Sequence, residues 1–434
     1  MDAAVSTRRD PARRWYVLAV LTAVYVSNVA DRYVISTLIE PIKAELHLSD
    51  TAIGFLTGTA LALFYTTLGL PLGSWADRTP RRGRMLAVCT AIWSLMTIAC
   101  GLAASFMQLL LARIGVGIGE AGGTPASQSM IADLFPRAER VLAASLFSVG
   151  AALGSMLGSS VGGMISDLFG WRRAFFALGI PGLLIASIVA TTVREPSRTH
   201  TARHADPLPW RESLRFIASQ RSLMHVLIGS TVCTFWTWGL LWWTPAFLQR
   251  SHHLTTGQAG SFLGYVTGIG GTIGAIAGGA ILFGVGKQSQ SRQCTAMSII
   301  ALLGTVASMI AYATRDLFLA KIMFWCFAPV GYLYLVPAFS WIQNLAQPRM
   351  RGFVCAIFLF GANIANLALA PQLIGLASDL VAAHSAAPAE SLRTVLTAAT
   401  LTGFWAAYHF WAAGGRMDAD LERIGESSLQ TVNP

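Results

Sequence analysis

Residues 15–39 read WYVLAVLTAVYVSNVADRYVISTLI, and only two side chains in this stretch are charged, those of Asp31 and Arg32. A helix of about 20 apolar residues crosses the hydrocarbon core of a bilayer, so the stretch predicts a membrane span. Arginines precede it, and no small-residue cleavage site follows them. We therefore expect a retained first span rather than a signal peptide that is removed.

The composition extends this prediction to the whole chain. Of its 434 residues, 54% are hydrophobic and 12% are charged, whereas a soluble domain carries roughly 25% charged residues. The net charge of +10 does not indicate nucleic-acid binding, because the basic residues are concentrated between apolar runs. The six cysteines stand singly, without the spacing of a metal site or a disulfide framework. We expect no metal and no cofactor.

Twelve apolar runs are long enough to cross a bilayer, and they predict an all-α membrane protein with twelve transmembrane helices. The runs are residues 15–39, 53–75, 85–106, 109–134, 141–165, 174–193, 223–248, 260–285, 294–313, 317–342, 353–376 and 395–413.

The distribution of basic residues gives the orientation. With the N-terminus in the cytoplasm, the inner segments hold 22 Lys and Arg residues and the outer segments hold 6. Inner loops of membrane proteins are enriched in Lys and Arg. The sequence therefore predicts a multi-pass protein of a bacterial inner (plasma) membrane with both termini in the cytoplasm.

The two halves of the chain resemble each other. RAER at 137–140 and LFSVG at 146–150 correspond to RMR at 349–351 and IFLFG at 357–361, and each half later reaches an aspartate, Asp167 or Asp379. A duplicated half-chain is typical of transporters whose two bundles rock around a central site. The predicted parts are a cytoplasmic segment at 1–14, a six-helix bundle at 15–193, a cytoplasmic linker at 194–222, a pseudo-symmetric six-helix bundle at 223–413 and a cytoplasmic tail at 414–434.

The glycine patterns do not indicate a nucleotide site. Gly117, Gly119 and Gly122 match the dinucleotide fingerprint, but a membrane span precedes them where the fingerprint requires a strand. No GxxxxGK[ST] motif occurs, so we expect a gradient rather than ATP as the energy source. Other glycines recur every four residues and predict close helix packing. They are Gly150, Gly154, Gly158 and Gly162, and Gly270, Gly274 and Gly278.

Charged side chains inside two predicted spans are the sharper functional signal. Asn28, Asp31 and Arg32 share one helix face, and Arg113 and Glu120 share another. A charge near mid-bilayer costs about 2.5–3.5 kcal/mol even on insertion scales, so these groups must face the interior. They form structural ion pairs or line a path for substrate or protons, and the second interpretation is favoured. The glycines and proline after Glu120 predict a broken helix, which transporters use at binding sites.

Aromatic side chains are concentrated in the second half. Trp238 and Trp242 are expected on one face of span seven, and Asn363 and Asn366 on one face of span eleven. Such aromatics fit contact with lipid or a wall against which an apolar substrate packs. In the second case the asparagines add polar contacts to the substrate.

The segment GSWADRTPRR at residues 73–82 resembles the Gly-x-x-x-Asp-Arg-x-x-x-Arg/Lys loop of the major facilitator superfamily. The resemblance implies the fold of that superfamily, and it makes Asp77, Arg78, Arg81 and Arg82 gate residues that stabilise the outward-open state.

The charged spans narrow this resemblance. NVADRY at 28–33 and RIGVGIGEA at 113–121, followed by DLFP at 133–136 and by Arg140, are similar to the spinster group of the superfamily. Spinster proteins move lysophospholipids or sphingoid phosphates in animals, and bacterial relatives are proton-linked. The resemblance is densest over residues 25–170.

The main function hypothesis is secondary active transport of an amphipathic organic anion, lysolipid-like or bearing a carboxylate or phosphate, by proton-coupled alternating access. Asp31 or Glu120 carries the proton. The expected substrate-binding residues are Arg32, Arg113, Asn28, Tyr33, Trp238, Trp242, Asn363 and Asn366. The alternatives are proton-driven efflux of drug-like or natural-product compounds and a membrane sensor that does not transport. The expected partners are a small-molecule substrate, protons and the lipid bilayer, with no nucleic acid and no ATP. We expect a monomer and no enzymatic activity.

Overall fold

The computed structural model describes residues 11–60, 62, 64, 67, 79, 81–193, 210–284, 289–347 and 349–430, and these residues form helices and short connections. The helices of the first part are α1 (Pro11–Thr37), α2 (Ile39–Leu46), α3 (Asp50–Gly54), α4 (Arg82–Leu102), α5 (Phe106–Glu120), α6 (Gly123–Leu134), α7 (Arg137–Phe169) and α8 (Trp171–Thr192).

The second part continues with α9 (Trp210–Ser219), α10 (Arg221–Thr234), α11 (Leu240–His252), α12 (Thr256–Tyr265), α13 (Gly271–Gly284), α14 (Gln290–Ala313), α15 (Leu317–Phe327), α16 (Val330–Leu333), α17 (Leu335–Leu345), α18 (Arg351–Asn363), α19 (Ala370–His384), α20 (Ser391–Ala399), α21 (Thr402–Gly414) and α22 (Met417–Gln430). Short π-helical turns lie at Phe55–Thr59, Phe235–Gly239, Val266–Gly270 and Ile364–Leu369.

Nine helical stretches in the described part of the chain are long and apolar enough to cross a membrane. They are Ala12–Thr37, Arg82–Leu102, Leu142–Phe169, Trp171–Thr192, Arg221–His252, Thr256–Ile281, Gln290–Ala313, Leu317–Leu345 and Arg351–His384. Each overlaps one predicted span. Predicted spans four and twelve are each divided into two shorter helices, and much of span two lies outside the described residues.

The predicted break in span four is confirmed. Helix α5 ends at Glu120 and α6 begins at Gly123. Pro125 falls in the first turn of α6, where its missing N–H would have had no helical partner. The break puts the Glu120 carboxylate at a helix end within the span.

Contacts divide the chain into two compact units. Unit 1 comprises Met1–Thr201, Trp242–Gly268 and Pro371–Asp379, and unit 2 comprises Ala202–Leu241, Ile269–Ala370 and Leu380–Pro434. Unit 1 thus contains short segments from the second half of the sequence. The predicted domain boundaries at residues 193 and 222 remain a prediction.

Glycines bring the helices of unit 1 close together. A Cβ at Gly154 of α7 would lie 2.7 Å from the carbonyl oxygen of Val26, and one at Gly158 would lie 2.3 Å from that of Ala30. Both distances are shorter than any van der Waals contact, so only glycine permits this approach of α7 to α1. The packing interpretation of the four-residue glycine repeat is therefore confirmed for this pair of helices.

The core of unit 2 combines buried aromatic side chains with glycines that allow close packing. Trp236 is fully buried and donates its Nε1–H to Ser308 Oγ at 3.1 Å. A Cβ at Gly403 of α21 would meet the Trp236 ring at 2.8 Å. Gly274 and Gly278 of α13 likewise pack on the carbonyl groups of Pro329 and Leu333. Helix α9 lies within the predicted linker at 194–222.

Candidate functional site

An ion pair between Arg32 and Glu120 joins α1 to α5. Arg32 Nε donates to Glu120 Oε2 at 2.6 Å. The Glu120 side chain is completely buried, whereas 20% of the Arg32 side chain is exposed. From helical spacing alone, Arg32 was expected beside Asp31 on one helix. Arg113 was expected on the same face as Glu120 on another helix. The fold instead pairs Arg32 with Glu120 across two helices, so the partly exposed arginine lies against the buried carboxylate.

Asp31 lies next to this pair and is held by Thr97 of α4. Thr97 Oγ1 lies 2.5 Å from Asp31 Oδ2 and 2.9 Å from the carbonyl oxygen of Trp93. Asp31 is 2% exposed, and its Oδ1 makes no hydrogen bond to the described residues. The single hydroxyl hydrogen of Thr97 has two acceptors. It bonds Asp31 when that carboxylate is ionised, and it is available to Trp93 when Asp31 is protonated and itself donates to Thr97.

Arg113 is the most deeply buried cation of the cluster. It is fully buried, and its Nε, Nη1 and Nη2 make no hydrogen bond of ordinary geometry to the described residues. Asp31 and the Cys100 thiol lie close enough to interact with its charge. A guanidinium group without hydrogen-bonded partners is costly in a low-dielectric interior. Its donors are therefore available to an anionic group, such as the open oxygen of Asp31.

Asn28 and Tyr33 lie on either side of the charged residues along α1. Asn28 is buried and lines a pocket of about 10 Å³, the size of one water molecule, together with Trp93 and Ser127. The Tyr33 ring lies 6.3 Å from that of Trp242. Polar and aromatic groups therefore adjoin the charged cluster within unit 1.

The two tryptophans predicted to bind substrate, Trp238 and Trp242, belong to different units. In unit 1, Trp242 donates its Nε1–H to Thr57 Oγ1 at 3.2 Å, and its carbonyl accepts the Ser36 hydroxyl. In unit 2, Trp238 donates to the carbonyl of Gly331 at 3.1 Å and packs on Tyr332. Both indole N–H groups are satisfied by the protein, so what each ring offers a ligand is apolar surface.

The two asparagines lie in unit 2, at the π-helical turn of the eleventh span. Asn363 is the last residue of α18, and Asn366 lies within the turn Ile364–Leu369. The buried Asn366 Oδ1 makes no hydrogen bond to the described residues. It is the one of the two asparagines with a buried acceptor still open.

The predicted gate residues are only partly described. Asp77 and Arg78 lie outside the described residues. Arg82 is 2% exposed, and its Nη1 donates to Asp133 Oδ2 at 2.7 Å and to Ser129 Oγ at 2.9 Å. Arg81 is exposed. Arg82 thus ties α4 to α6 inside unit 1.

Sequence reasoning missed a second ionic cluster, at the predicted outer end of unit 1. Arg250 donates from Nη1 and Nη2 to the two carboxylate oxygens of Asp50, each at 2.7 Å, and from Nε to Glu40 at 2.8 Å. Lys43 Nζ also contacts Asp50 at 2.5 Å. Burial opposes ionisation of Asp50, but the hydrogen bonds and charges of Arg250 and Lys43 outweigh it and lower its pKa to about 2.

The two aspartates of the internal repeat, Asp379 and Asp167, each accept hydrogen bonds from the first residues of a helix in unit 1. Asp379 accepts the backbone N–H groups of Asp50 and Thr51 at 3.0 and 2.8 Å. Asp167 accepts the N–H of Gly257 at 2.9 Å. The internal repeat had paired these two aspartates in the sequence, and it was the one signal that could have pointed to this end of the protein.

Comparison with known proteins places this arrangement in a family. The sequence profile of the Major Facilitator Superfamily matches residues 21–370. The "MFS-type efflux pump" of Mycolicibacterium smegmatis is 30% identical over 426 residues, which is 97% of each chain. Human "Protein spinster homolog 1" is 31% identical over 253 residues, 56% of this chain and 48% of that protein.

Solved structures agree with the sequence comparison. A bacterial homolog to the human lysosomal transporter spinster, in an inward-facing and unoccupied conformation, superposes with a TM-score of 0.84 and 27% identity, over 95% of this chain and 99% of that chain. The nucleoside transporter NupG, at 13% identity and a TM-score of 0.72, shares the fold alone. These findings confirm the predicted fold class of twelve helices in two bundles. The chain belongs to the major facilitator superfamily and is a spinster-like membrane transporter rather than an enzyme.

Proposed function

We propose that the chain transports an amphipathic organic anion by proton-coupled alternating access, in a bacterial inner membrane with both termini in the cytoplasm. The observation that carries the proposal is the buried cluster of Asp31, Arg32, Arg113 and Glu120 in unit 1. Two acids and two bases inside a membrane protein are costly to maintain, and such groups usually serve substrate or proton paths.

Arg32 supports the anion-binding part of the proposal. It is the partly exposed member of the cluster, and it lies against Glu120. A substrate carboxylate or phosphate that bonds Arg32 withdraws that guanidinium from Glu120. The buried Glu120 carboxylate then lacks its cation and takes up a proton, because an unpaired charge in a low-dielectric site is unfavourable. Binding of the anion and of a proton thereby favour each other.

Asp31 and Thr97 supply a second proton position. The hydroxyl group of Thr97 can serve Asp31 in both protonation states, as described above. The buried guanidinium of Arg113 lies within electrostatic range of Asp31. Asn28 and its small pocket adjoin this position and supply room for one bridging water.

The apolar part of the substrate would pack on aromatic surface. Tyr33 and Trp242 adjoin the cluster in unit 1, while Trp238, Asn363 and Asn366 are the candidates in unit 2. An aromatic wall with a few polar groups suits a lysolipid-like molecule. The relation to spinster homologs agrees with such a substrate.

The second candidate function is proton-driven efflux of drug-like or natural-product compounds. It is favoured by the Mycolicibacterium smegmatis relative, which is named an efflux pump and aligns along 97% of its own length. In that case the charged cluster handles protons alone, and Arg32 and Arg113 do not meet the substrate.

Two probes in proteoliposomes separate the candidates. A fluorescent lysophosphatidylglycerol represents the anionic substrate, and ethidium represents a cationic drug. We expect a pH gradient to drive accumulation of the first, and we expect Arg32→Gln and Arg113→Ala to abolish it. Accumulation of ethidium that is indifferent to both arginine variants would establish efflux instead.

Carboxylate variants test the proton coupling. We expect Asp31→Asn or Glu120→Gln to bind the lysolipid but to lose the response to the pH gradient. Glu45→Gln is the matched control, because Glu45 is an exposed carboxylate outside the cluster. If both cluster variants respond to the gradient as the unaltered protein does, the charged cluster is structural.

A further inference from the structure

A basic pocket lies at one end of unit 2, away from the charged cluster. It forms where α10 and α14 begin and α21 ends, and its volume is about 410 Å³. Its polar lining comes from Arg221, His225, Ser291, Thr295 and Arg416, and Trp411 closes one side. The predicted topology puts this end at the cytoplasmic surface of the membrane.

The two arginines of the pocket have no partner of their own. The side chains of Arg221 and Arg416 are exposed and make no hydrogen bond or ion pair with the described residues. Two carboxylates of α22 follow Arg416 closely in the sequence, and each bonds other groups. Asp418 accepts from Ser289 Oγ and from the N–H of Ser291.

Asp420, the other nearby carboxylate, accepts the backbone N–H of Ser222 and pairs with Arg423. The described lining of the pocket therefore contributes two guanidinium charges and no carboxylate. A site with two guanidinium groups directed at one space suits a phosphate, whose oxygens accept from planar N–H donors.

His225 adds a further donor. Its Nδ1 lies 2.9 Å from Nδ1 of His409, so one ring donates to the other through a single hydrogen. A neutral ring that accepts at Nδ1 carries its hydrogen on Nε2. When His225 is the acceptor, its Nε2–H is available at the wall of the pocket.

The neighbouring surface of α21 indicates what carries the phosphate. Trp405, Tyr408 and Trp411 follow one another at three-residue spacing and are 54%, 54% and 62% exposed. Three residues of a helix are almost one turn, so the rings form one aromatic strip that leads away from the pocket. On a membrane transporter such a strip faces lipid, and tryptophan and tyrosine prefer the headgroup level.

We propose that this pocket binds the phosphate of an anionic phospholipid of the adjacent leaflet, with the acyl chains along the aromatic strip of α21. Basic pockets between transmembrane helices on the cytoplasmic side are suited to anionic headgroups. The lipid at this site is a bound component of the bilayer rather than the transported substrate, and the proposal does not depend on the proposed function.

Native mass spectrometry of the purified full chain in detergent tests the proposal, with dioleoylphosphatidylglycerol as the probe. We expect Arg221→Gln and Arg416→Gln each to weaken binding roughly fivefold, as expected for one basic residue near an anionic lipid. Arg416→Lys retains the charge and should keep most of the affinity. Arg84→Gln is the matched control, because Arg84 is an exposed arginine of unit 1 on the same predicted side.

Two further probes identify the source of the phosphate. We expect dioleoylphosphatidylcholine to bind more weakly than the glycerol lipid and inorganic phosphate not to displace it. Unchanged lipid binding in Arg221→Gln and Arg416→Gln, when both variants unfold at the temperature of the unaltered protein, would overturn the proposal. Equal affinity for phosphatidylcholine would show apolar attachment alone, and displacement by inorganic phosphate would identify a free-anion site. Either result rules out a headgroup site.

Discussion

Arg250 and Asp50 form a bidentate ion pair, with both N–O distances at 2.7 Å, and Asp50 is 2% exposed. The two residues stand 200 positions apart and join a segment of the second half of the chain to the start of α3 within unit 1. This pair is the best-defined electrostatic contact at the predicted outer end.

Loss of this pair should destabilise the protein far more than loss of an exposed pair. Removing one partner of a buried ion pair costs about 3–5 kcal/mol when the other charge is left unpaired. In Arg250→Ala, Lys43 still contacts Asp50 and offsets part of that cost. We expect Arg250→Ala to lower the thermal unfolding temperature in detergent by several degrees. Arg172→Ala is the control, since the Arg172–Glu45 pair is partly exposed and such pairs contribute about 0–1 kcal/mol. Equal losses for the two variants would contradict the prediction.

The same pair should be insensitive to physiological pH. The pKa of Asp50 is lowered from 3.8 to about 2. A carboxylate with a depressed pKa stabilises the folded protein fully above its ordinary value and loses that contribution as the pH falls through the lowered one. The stability difference between the unaltered protein and Asp50→Asn should therefore be constant from about pH 5 to pH 8 and shrink below about pH 4. A difference that changes between pH 5 and pH 8 would implicate another titrating group.

Thr97 should set the pH response of transport. A hydrogen bond to a charged group contributes about 1.5–3 kcal/mol and one between neutral groups about 0.5–1.5 kcal/mol. Thr97→Val loses the bond in both protonation states of Asp31, so it destabilises the ionised form more and favours the protonated form. We expect the midpoint of proton-driven uptake to move to higher pH by about one unit, while Thr97→Ser leaves it in place. Thr90→Val is the control, because Thr90 is a buried threonine of α4 whose hydroxyl bonds only its own helix, at Leu86. If the midpoint moves equally in both valine variants, Thr97 has no specific role in proton coupling.

The close packing of α7 against α1 at Gly158 should not tolerate a side chain. A Cβ at Gly158 would lie 2.3 Å from the Ala30 carbonyl oxygen, whereas one at Gly279 of α13 meets nothing within 4 Å. Overpacking costs about 1–3 kcal/mol, so Gly158→Ala should lower the unfolding temperature. Gly279→Ala should be neutral or raise it, because alanine favours a helix over glycine. Thermal unfolding of both variants checks the contrast, and a stable Gly158→Ala protein would show that α1 and α7 can separate.

The apolar runs predicted most of the helices, because a spanning helix is determined by length and composition within one segment. The break after Glu120 was also predictable, since glycines and a proline act locally on the backbone. The pairing of Arg32 with Glu120 was not, because it depends on the rotation of α1 against α5. Spacing along a single helix identifies the face of a residue but not its neighbour across the interface.

Two other parts of the site needed the structure. Asp50 and Arg250 lie in polar segments between spans, where charged residues are expected to be solvated and their pairing leaves no local pattern. The predicted shared face of Trp238 and Trp242 assumed an ideal α-helix, but the π-helical turn Phe235–Gly239 changes the register within that stretch.

The bonds of Asp167 and Asp379 to helix beginnings have a consequence for opening. Each aspartate belongs to one half of the sequence and bonds the first residues of a helix from the other half. Separating the halves at this end would leave the N–H groups of Gly257, Asp50 and Thr51 without acceptors, at about 1 kcal/mol for each lost cap. Water must reach both helix beginnings as they part, so hydration of these two points accompanies any opening toward the predicted outer side. The cost of the lost bonds is shared by two aspartates, one from each half of the duplicated chain. Opening at this end therefore breaks hydrogen bonds that both halves contribute.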